Sequence, residues 1–301
     1  MSDEFFKTTI KSHIEIRIDD CINLPEDFQY DSIITDPPYE IGLHKAAWDN
    51  TGIAFSPLLW NKLYKVLKPG GFIAACSSMR LYHRLATAAE NAGFELYPFL
   101  IWNFEGGLPK PANLSELFDR DNIEEREIIG YKKGSGYTKA NVDHGAQQRT
   151  HTEFPIYARH VSPEAQEWRD YYYGVNTIMP NTEPVLIAQK PIETKRMIDN
   201  IRKYRTGAMN IGALKEKYGS WPTNILHHKK ARKTDHNSNH PSVKPVKLFE
   251  DLCMLLTPLG GKVLDPFAGT GTTGVACQNL GYDCVLYEQN IEMEDVIKKR
   301  L

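Results

Sequence analysis

Apolar positions along the first hundred residues repeat with two alternating periods. His13 to Ile18 (HIEIRI) alternates every second residue and predicts a strand. Asp31 to Thr35 (DSIIT) predicts a short apolar strand ending at a double proline. Ser56 to Leu67 carries helical spacing that stops at the breaker Lys68-Pro69-Gly70-Gly71. Gly71 to Cys76 (GFIAAC) then predicts a buried strand, Arg80 to Ala92 a helix, and Glu95 to Phe104 a further strand. Between about Glu105 and Pro180 the rhythm is lost among Gly106-Gly107, Gly134-Ser135-Gly136, Gln147-Gln148, Tyr171-Tyr172-Tyr173 and a run of acids from Glu116 to Glu127. Pro184 to Gln189 gives one more strand. Regular alternation returns with a helix over Val246 to Leu256, a strand over Lys262 to Asp265 and a helix over Thr272 to Leu280. A strand over Cys284 to Tyr287 and a helix over Ile291 to Leu301 complete the chain.

Such alternation predicts an α/β protein with a mostly parallel sheet and helices on both faces, built from both ends of the chain around an inserted middle. The 301 residues suffice for one large α/β domain with insertions or two modest domains. A formal net charge of -2 gives no global sign of nucleic-acid binding, so any such signal must be local. Cys21, Cys76, Cys253, Cys277 and Cys284 are scattered without paired spacing, which argues against a zinc site or disulfide framework and suits a reducing cytoplasm. No apolar stretch approaches a membrane span, and Met1-Ser2-Asp3-Glu4 does not open a signal peptide, so a soluble cytoplasmic protein is expected.

Near the C-terminus, Val263-Leu264-Asp265-Pro266-Phe267-Ala268-Gly269-Thr270-Gly271 follows a strand and opens a helix. Glycines at 269 and 271 allow positive φ and close backbone approach to a ligand. With Gly274 they fit the G-x-G-x-x-G spacing of dinucleotide sites. Asp265 just ahead of the turn would repel a pyrophosphate but attract a cationic amino group. S-adenosylmethionine has that amino group and no phosphate. Glu288, at the end of the next strand, is suited to ribose hydroxyls.

Asp36-Pro37-Pro38-Tyr39 combines a carboxylate, a rigid turn and an aromatic face. An exocyclic amine of a nucleobase is a poor nucleophile because its lone pair is delocalised into the ring. Asp36 and the Pro37 carbonyl would each accept one of its N–H bonds and favour a pyramidal nitrogen, while Tyr39 stacks on the base, a contact worth roughly 1–3 kcal/mol. Direct displacement needs positioning more than acid–base power, and no cysteine lies in a motif that suggests covalent catalysis.

These residues resemble the β-class, S-adenosylmethionine-dependent DNA amino-methyltransferases, and among them phage and prophage adenine-N6 enzymes. The stretches DSIITDPPYEIGL, VLKPGG, EPVLIAQKPI, YGSWPTNILH, HPSVKPVKLFEDLCMLLTP and VLDPFAGTGTTGVA carry the likeness. The resemblance implies a Rossmann-like, seven-stranded methyltransferase sheet permuted in chain order and a restriction–modification type of enzyme acting on double-stranded DNA. It assigns Asp36, Pro37, Pro38 and Tyr39 to catalysis. Phe267, Gly269 and Gly271 would line the cofactor, with Asp265 near its amino group, Glu288 at the ribose and Asp20 at the adenine. Asp19 competes for that last role. Ser242 and Lys244 would lie near the cofactor's carboxylate end. After Glu288 the family often has a second acid, where this chain has Gln289. No metal is implied, and a homodimer is among the assemblies the family allows. The chain then divides into a catalytic half (1–104), a target-recognition insertion (105–180), a returning strand (181–190), a basic DNA-contacting segment (191–235) and a cofactor half (236–301).

From Lys190 to Lys233 there are twelve Lys or Arg against three Asp or Glu. Arg202, Lys203, Arg205, Lys229, Lys230, Arg232 and Lys233 are candidates for phosphate contact. The insertion, rich in Gln, Asn, His and Tyr, is placed by elimination where base edges would be read. N4 of cytosine is the closest rival target, although Asp at position 36 leans toward adenine in the family. A non-catalytic DNA-binding protein on the same scaffold and a nucleotide-dependent oxidoreductase are the alternatives from other classes.

Overall fold

The structure is a computed structural model that describes residues 12–27, 29–42, 47–104, 106–121, 127–137, 149–157, 162–232 and 243–301. The chain forms two compact units, Met1–Gly106 with Asn181–Leu301, and Gly107–Pro180.

The larger unit is built on one mixed sheet. Its strands are β1 (Ile14–Ile18), β2 (Tyr30–Thr35), β3 (Leu67–Cys76), β4 (Glu95–Leu96), β5 (Leu100–Asn103), β10 (Thr182–Gln189), β11 (Ile225–His227), β12 (Lys262–Asp265) and β13 (Asp283–Glu288), where β6 to β9 belong to the smaller unit. The order across the sheet is β1-β13-β12-β2-β3-β10-β5-β11, with β4 beside β10. From β1 to β3 all neighbours are parallel. β10 runs antiparallel to β3, β4 and β5, and β11 is again parallel to β5.

Helices cover both faces because successive side chains of the central strands point opposite ways. Phe72, Ala74 and Cys76 of β3 join one core with Leu248, Leu252 and Leu256 of the helix Val246–Leu256. Ile73 and Ala75 join the other with Leu59 and Leu63 of α1 (Pro57–Val66) and Leu85 and Ala89 of α2 (Tyr82–Asn91). Pro57 starts α1 at the position where a missing N–H costs nothing.

The sheet has nine strands among the described residues, not seven. The extra two are short. The expected strand over Glu95 to Phe104 divides at Tyr97-Pro98-Phe99 into β4 and β5, since proline cannot donate to a ladder. β11 arises in the basic stretch, which also carries α5 (Met197–Tyr204) and α6 (Ile211–Tyr218). Helix α1 ends just ahead of Lys68 to Gly71, as its pattern predicts, but that stretch does not separate it from the next strand. The stretch bulges out within β3, whose register passes from Tyr30↔Leu67 to Ser32↔Phe72.

The smaller unit pairs β6 (Ala112–Asn113) with β9 (Tyr172–Tyr173) and packs α3 (Leu114–Asp121) on α4 (Pro163–Glu167). Its long strands β7 (Ile128–Tyr137) and β8 (Arg149–Tyr157) pair antiparallel, in a region whose pattern predicted no regular element. Ile129 and Tyr131, neighbours on one face of β7, are both exposed, as are Phe154 and Ile156 of β8. Among the residues of the pair whose burial is described, no face is consistently buried, so no period of two is imposed there on the sequence.

Candidate active site

Because β1, β13, β12, β2 and β3 run the same way, their C-terminal ends share one edge of the sheet, where open α/β sheets place their ligands. Asp19 and Asp20 follow β1, Glu288 closes β13, Asp265 closes β12 and Asp36 follows β2. β2 and β12 are neighbours, paired Val263↔Ser32 and Leu264↔Ile33. The Thr35 hydroxyl therefore donates to Asp265 Oδ1 at 2.7 Å across 230 residues of chain. The antiparallel β10 brings its first residues to the same edge, which adds Glu183. A cavity of about 1210 Å³ opens there, larger than the roughly 300–1,000 Å³ of a usual small-molecule site. Its wall carries seven Asp or Glu against three Lys or Arg, a field hostile to a polyphosphate.

One part of the wall is the glycine loop leading into the helix Thr272–Leu280. Phe267 and Gly269 line the cavity, and a Cβ added at Gly269 (φ 52°) would meet nothing within 4 Å. Gly271 differs from the expectation. It is absent from the cavity wall, and a Cβ there would lie 2.9 Å from Ile297 Cγ2, so its hydrogen is needed for packing against the last helix, Glu292–Arg300. Gly274 likewise lies under Leu286, which a Cβ would approach to 2.7 Å.

Glu288 accepts the Gly269 and Asn290 N–H groups, each at 2.8 Å, and burial pushes its carboxyl above the usual range. Asp20 Oδ1 caps a short 3-10 turn by accepting from Ile22 N–H at 2.9 Å. Its Oδ2 accepts from the Gln289 amide at 3.3 Å, so the residue that departs from the family pattern steadies Asp20. Asp19 accepts from its own loop, at Asp20 N–H and the Asn23 amide, both at 2.7 Å. Asp265, 2% exposed, accepts from Thr35, from Phe267 N–H at 3.0 Å and from the Thr273 hydroxyl. Burial pushes its carboxyl up to about 6 against the pull of these uncharged donors. Ser242 lies outside the described residues.

The other part of the wall holds Asp36 and Tyr39. Lys244 Nζ donates to Asp36 Oδ2 at 2.9 Å, lies 3.5 Å from Glu183 Oε2 and sits 4.7 Å from the Tyr39 ring centroid. The resemblance puts Lys244 at the cofactor's carboxylate. Its partners here are two carboxylates of the protein. Burial alone would lower its pKa, but Asp36 and Glu183 outweigh it and hold the ammonium charged. Burial pushes Asp36 above the usual carboxylate range, and the Lys244 ammonium opposes it. Asp36 Oδ1 is buried without a hydrogen-bond partner. Cys76 and Cys21 are close by, but burial pushes the Cys76 thiol well up and the Cys21 thiol to about 12, far from a nucleophilic thiolate.

A family model described as DNA methylase, covering adenine-N6 and cytosine-N4 enzymes, matches residues 30–299. The chain belongs to the N6/N4 DNA methylase family. The type II methyltransferase M.HindIII of Haemophilus influenzae is 27% identical over 246 residues, which are 80% of this chain and 66% of that protein. M.HpaI of Haemophilus parainfluenzae is 24% identical over 92% of this chain and 69% of its own. The chain thus spans about two thirds of the length of these relatives. Among solved structures, the M1.HpyAVI–SAM complex superposes with a TM-score of 0.55 at 20% identity, covering 96% of this chain and 99% of that one. The cytosine-N4-specific PvuII DNA methyltransferase gives 0.58 at 16% identity, over 97% and 87%.

In this N6/N4 methylase the basic stretch is not one field. Lys229, Lys230 and Arg232 follow β11 at the cavity edge, where Lys230 lines the wall with Nζ 3.9 Å from the Phe104 ring centroid. Arg202 and Lys203 lie on α5 and Arg205 at its C-terminal cap. α5 is tied by Asn200 and Thr206 to the Pro69 carbonyl, at the start of β3 and hence at the opposite edge of the sheet. Arg202 there pairs with Asp199 and Lys203 with Glu193. Lys233 lies outside the described residues.

Two residues of the methylase cavity carried no signal that local pattern could use. Glu183 lines it and accepts from the Tyr39 hydroxyl at 2.6 Å. Trp102, of β5, lines it too, and its indole N–H donates to the His228 carbonyl at 2.7 Å. His228 in turn pairs with Asp251, which also accepts from Lys217. Burial alone would raise the Asp251 carboxyl, but His228, Lys217 and Tyr218 hold it below its usual range. That node fixes the backbone leading to Lys229 and Lys230.

Proposed function

We propose that the protein transfers a methyl group from S-adenosylmethionine to an exocyclic amine of a base flipped out of double-stranded DNA, with N6 of adenine as the target. The observation that carries this reading is a single cavity lined both by an open glycine loop and by Asp36, whose Oδ1 is a buried acceptor with no hydrogen-bond partner. An unpaired buried acceptor is costly unless a donor arrives. An amine N–H is such a donor.

The residues present fit the cofactor. Acids dominate the wall, the space above Gly269 is free, and Phe267, Glu288 and Asp20 line the same cavity. S-adenosylmethionine supplies an electrophilic methyl group on a sulfonium. Glu288 and Asp20 would hold its adenosyl end, and the acid-lined wall suits its positive charge. Asp36 would accept one N–H of the target amine and the Pro37 carbonyl the other, turning the lone pair toward the methyl carbon. Asp36 would also take up the proton that the amine sheds as it gains the methyl group. Tyr39 would stack on the base once it is out of the duplex, as enzymes acting on a base require. Lys229, Lys230 and Arg232 would meet phosphates, and residues 107–180 would read the target sequence.

Asp36→Ala should lower transfer of tritiated methyl groups to DNA by at least about a hundredfold. Calorimetric affinity for S-adenosylmethionine should be retained. Near-normal transfer by that variant would remove Asp36 from the chemistry. Both acceptors would also serve N4 of cytosine, so mass spectrometry of the nucleosides decides the target: N6-methyladenine supports the reading and N4-methylcytosine replaces it.

A further inference from the structure

We propose that Glu183 is a positioning residue for methyl transfer, holding Tyr39 through its hydroxyl and sharing the Lys244 ammonium with Asp36. The inference rests on the reading of Asp36 as the amine acceptor.

Glu183 is the second residue of β10, set opposite Trp102 by the antiparallel ladder. The strand behind it, from Pro184 to Gln189, is buried, so the backbone carrying Glu183 has little freedom. Its Oε2 meets two groups at once, the Tyr39 hydroxyl at 2.6 Å and Lys244 Nζ at 3.5 Å. Lys244 is 6% exposed, and Asp36 Oδ2 takes its shorter contact at 2.9 Å. Four side chains from three separate places in the sequence thus form one network of two carboxylates, one ammonium and one phenol.

Each link has a consequence for the reaction. A stacking ring must present its face at a fixed angle, and a phenol tethered at its far end cannot swing about its side-chain bonds. Burial and the neighbouring carboxylates push the Tyr39 phenol well above its usual range, so it stays the donor in that bond. A lone ammonium committed to Asp36 would neutralise the acceptor. Shared between two carboxylates, it leaves the group with a net negative charge, and its bond goes to Oδ2, not to Oδ1. Glu183 would then act on the reaction only through Tyr39 and Lys244.

The alternative is that Glu183 only compensates the burial of Lys244, and kinetics separate the two. In Glu183→Ala, kcat on unmethylated genomic DNA should fall by about tenfold or more, because small misplacement of the reacting groups is costly. The unfolding midpoint should stay close to that of the parent, and affinity for S-adenosylmethionine within about twofold. Glu183→Gln keeps an oxygen for the hydroxyl without the charge and should recover part of the loss. Tyr39→Phe should lower kcat in the parent but change it by less than about twofold in Glu183→Ala, because the partner of the hydroxyl is already gone. Losses that multiply instead would overturn the proposal. So would a Glu183→Ala protein whose cofactor affinity or melting temperature falls in step with kcat. An unimpaired Glu183→Ala beside an inactive Asp36→Ala overturns the role of Glu183 alone, whereas an active Asp36→Ala overturns the amine reading and this inference with it.

Discussion

Asp36 and Asp265 end neighbouring strands and look equivalent in sequence, each a carboxylate between an apolar run and a proline. Their surroundings separate them. Asp36 has an ammonium at 2.9 Å, while the donors to Asp265 are two hydroxyls and one N–H. Burial therefore raises Asp265 from 3.8 to about 6, a standing cost of roughly 3 kcal/mol when it is ionised. A folded-state pKa above the unfolded value favours the fold below the lower value, and that stabilisation is lost as pH rises through the higher one. Asp265→Asn keeps Oδ1 for Thr35 and Phe267 and offers an N–H to Thr273. At pH 7.5 it should raise stability in urea titrations by about 1–3 kcal/mol, with no gain below about pH 4. Affinity for S-adenosylmethionine should fall, since the wall loses a negative charge. A gain over the parent no larger at pH 7.5 than at pH 4 would refute the cost assigned to Asp265. Asp36, Asp265 and Glu288 were legible in the sequence because each closes an apolar strand next to a turn. Glu183 opens its strand. An acid there reaches the site edge only because β10 runs antiparallel, and strand direction is not written in local pattern.

At the scale of elements, the turn between β12 and the following helix shows how one motif serves two purposes. Both Gly269 and Gly271 have positive φ, at 52° and 81°. Only Gly271 has a neighbour where a Cβ would go. Gly269→Ala should cost about 1 kcal/mol of stability from backbone strain while lowering cofactor affinity more steeply, because the methyl projects into free space. Gly271→Ala meets strain and Ile297 together and should cost about 1–3 kcal/mol, with cofactor affinity following stability. Adding Ile297→Val should return part of that loss. Denaturant titration beside calorimetry checks both, and equal effects at the two glycines would refute the division. The same turn is held from outside by Arg300, whose guanidinium donates to the Thr270 carbonyl at 2.7 Å. Helix Val246–Leu256 and strand Lys262–Asp265 were readable to the residue, since a full core patterns them. Lys68 to Gly71 read as a boundary because proline and glycine suit a bulge as well as a turn. The pair β7 and β8 was invisible because exposed apolar residues lie on its described part, as at Ile129, Tyr131, Phe154 and Ile156, and no burial imposes a period there.

The sheet as a whole decides which charges can act together. Read along the chain, Lys190 to Lys233 is one positive stretch, but β10 and β11 end at opposite edges and divide it. The α5 residues Arg202 and Lys203 already have carboxylate partners, and with Arg205 they sit by the start of β3. Lys229, Lys230 and Arg232 leave β11 at the edge where Asp36 and Glu183 lie. A duplex presenting a flipped base to Asp36 must pass close to that second group and need not reach the first. Replacing Lys229, Lys230 and Arg232 together by Ala should raise Kd for DNA by about tenfold or more at moderate salt and flatten its salt dependence by about one to three counterions. The corresponding triple replacement of Arg202, Lys203 and Arg205 should change Kd by less than about twofold, as expected of screened surface charges remote from the ligand. Filter binding across a salt series measures both. Equal losses from the two triples would mean that DNA reaches both edges of the sheet, a path incompatible with one duplex entering at the Asp36 cavity alone.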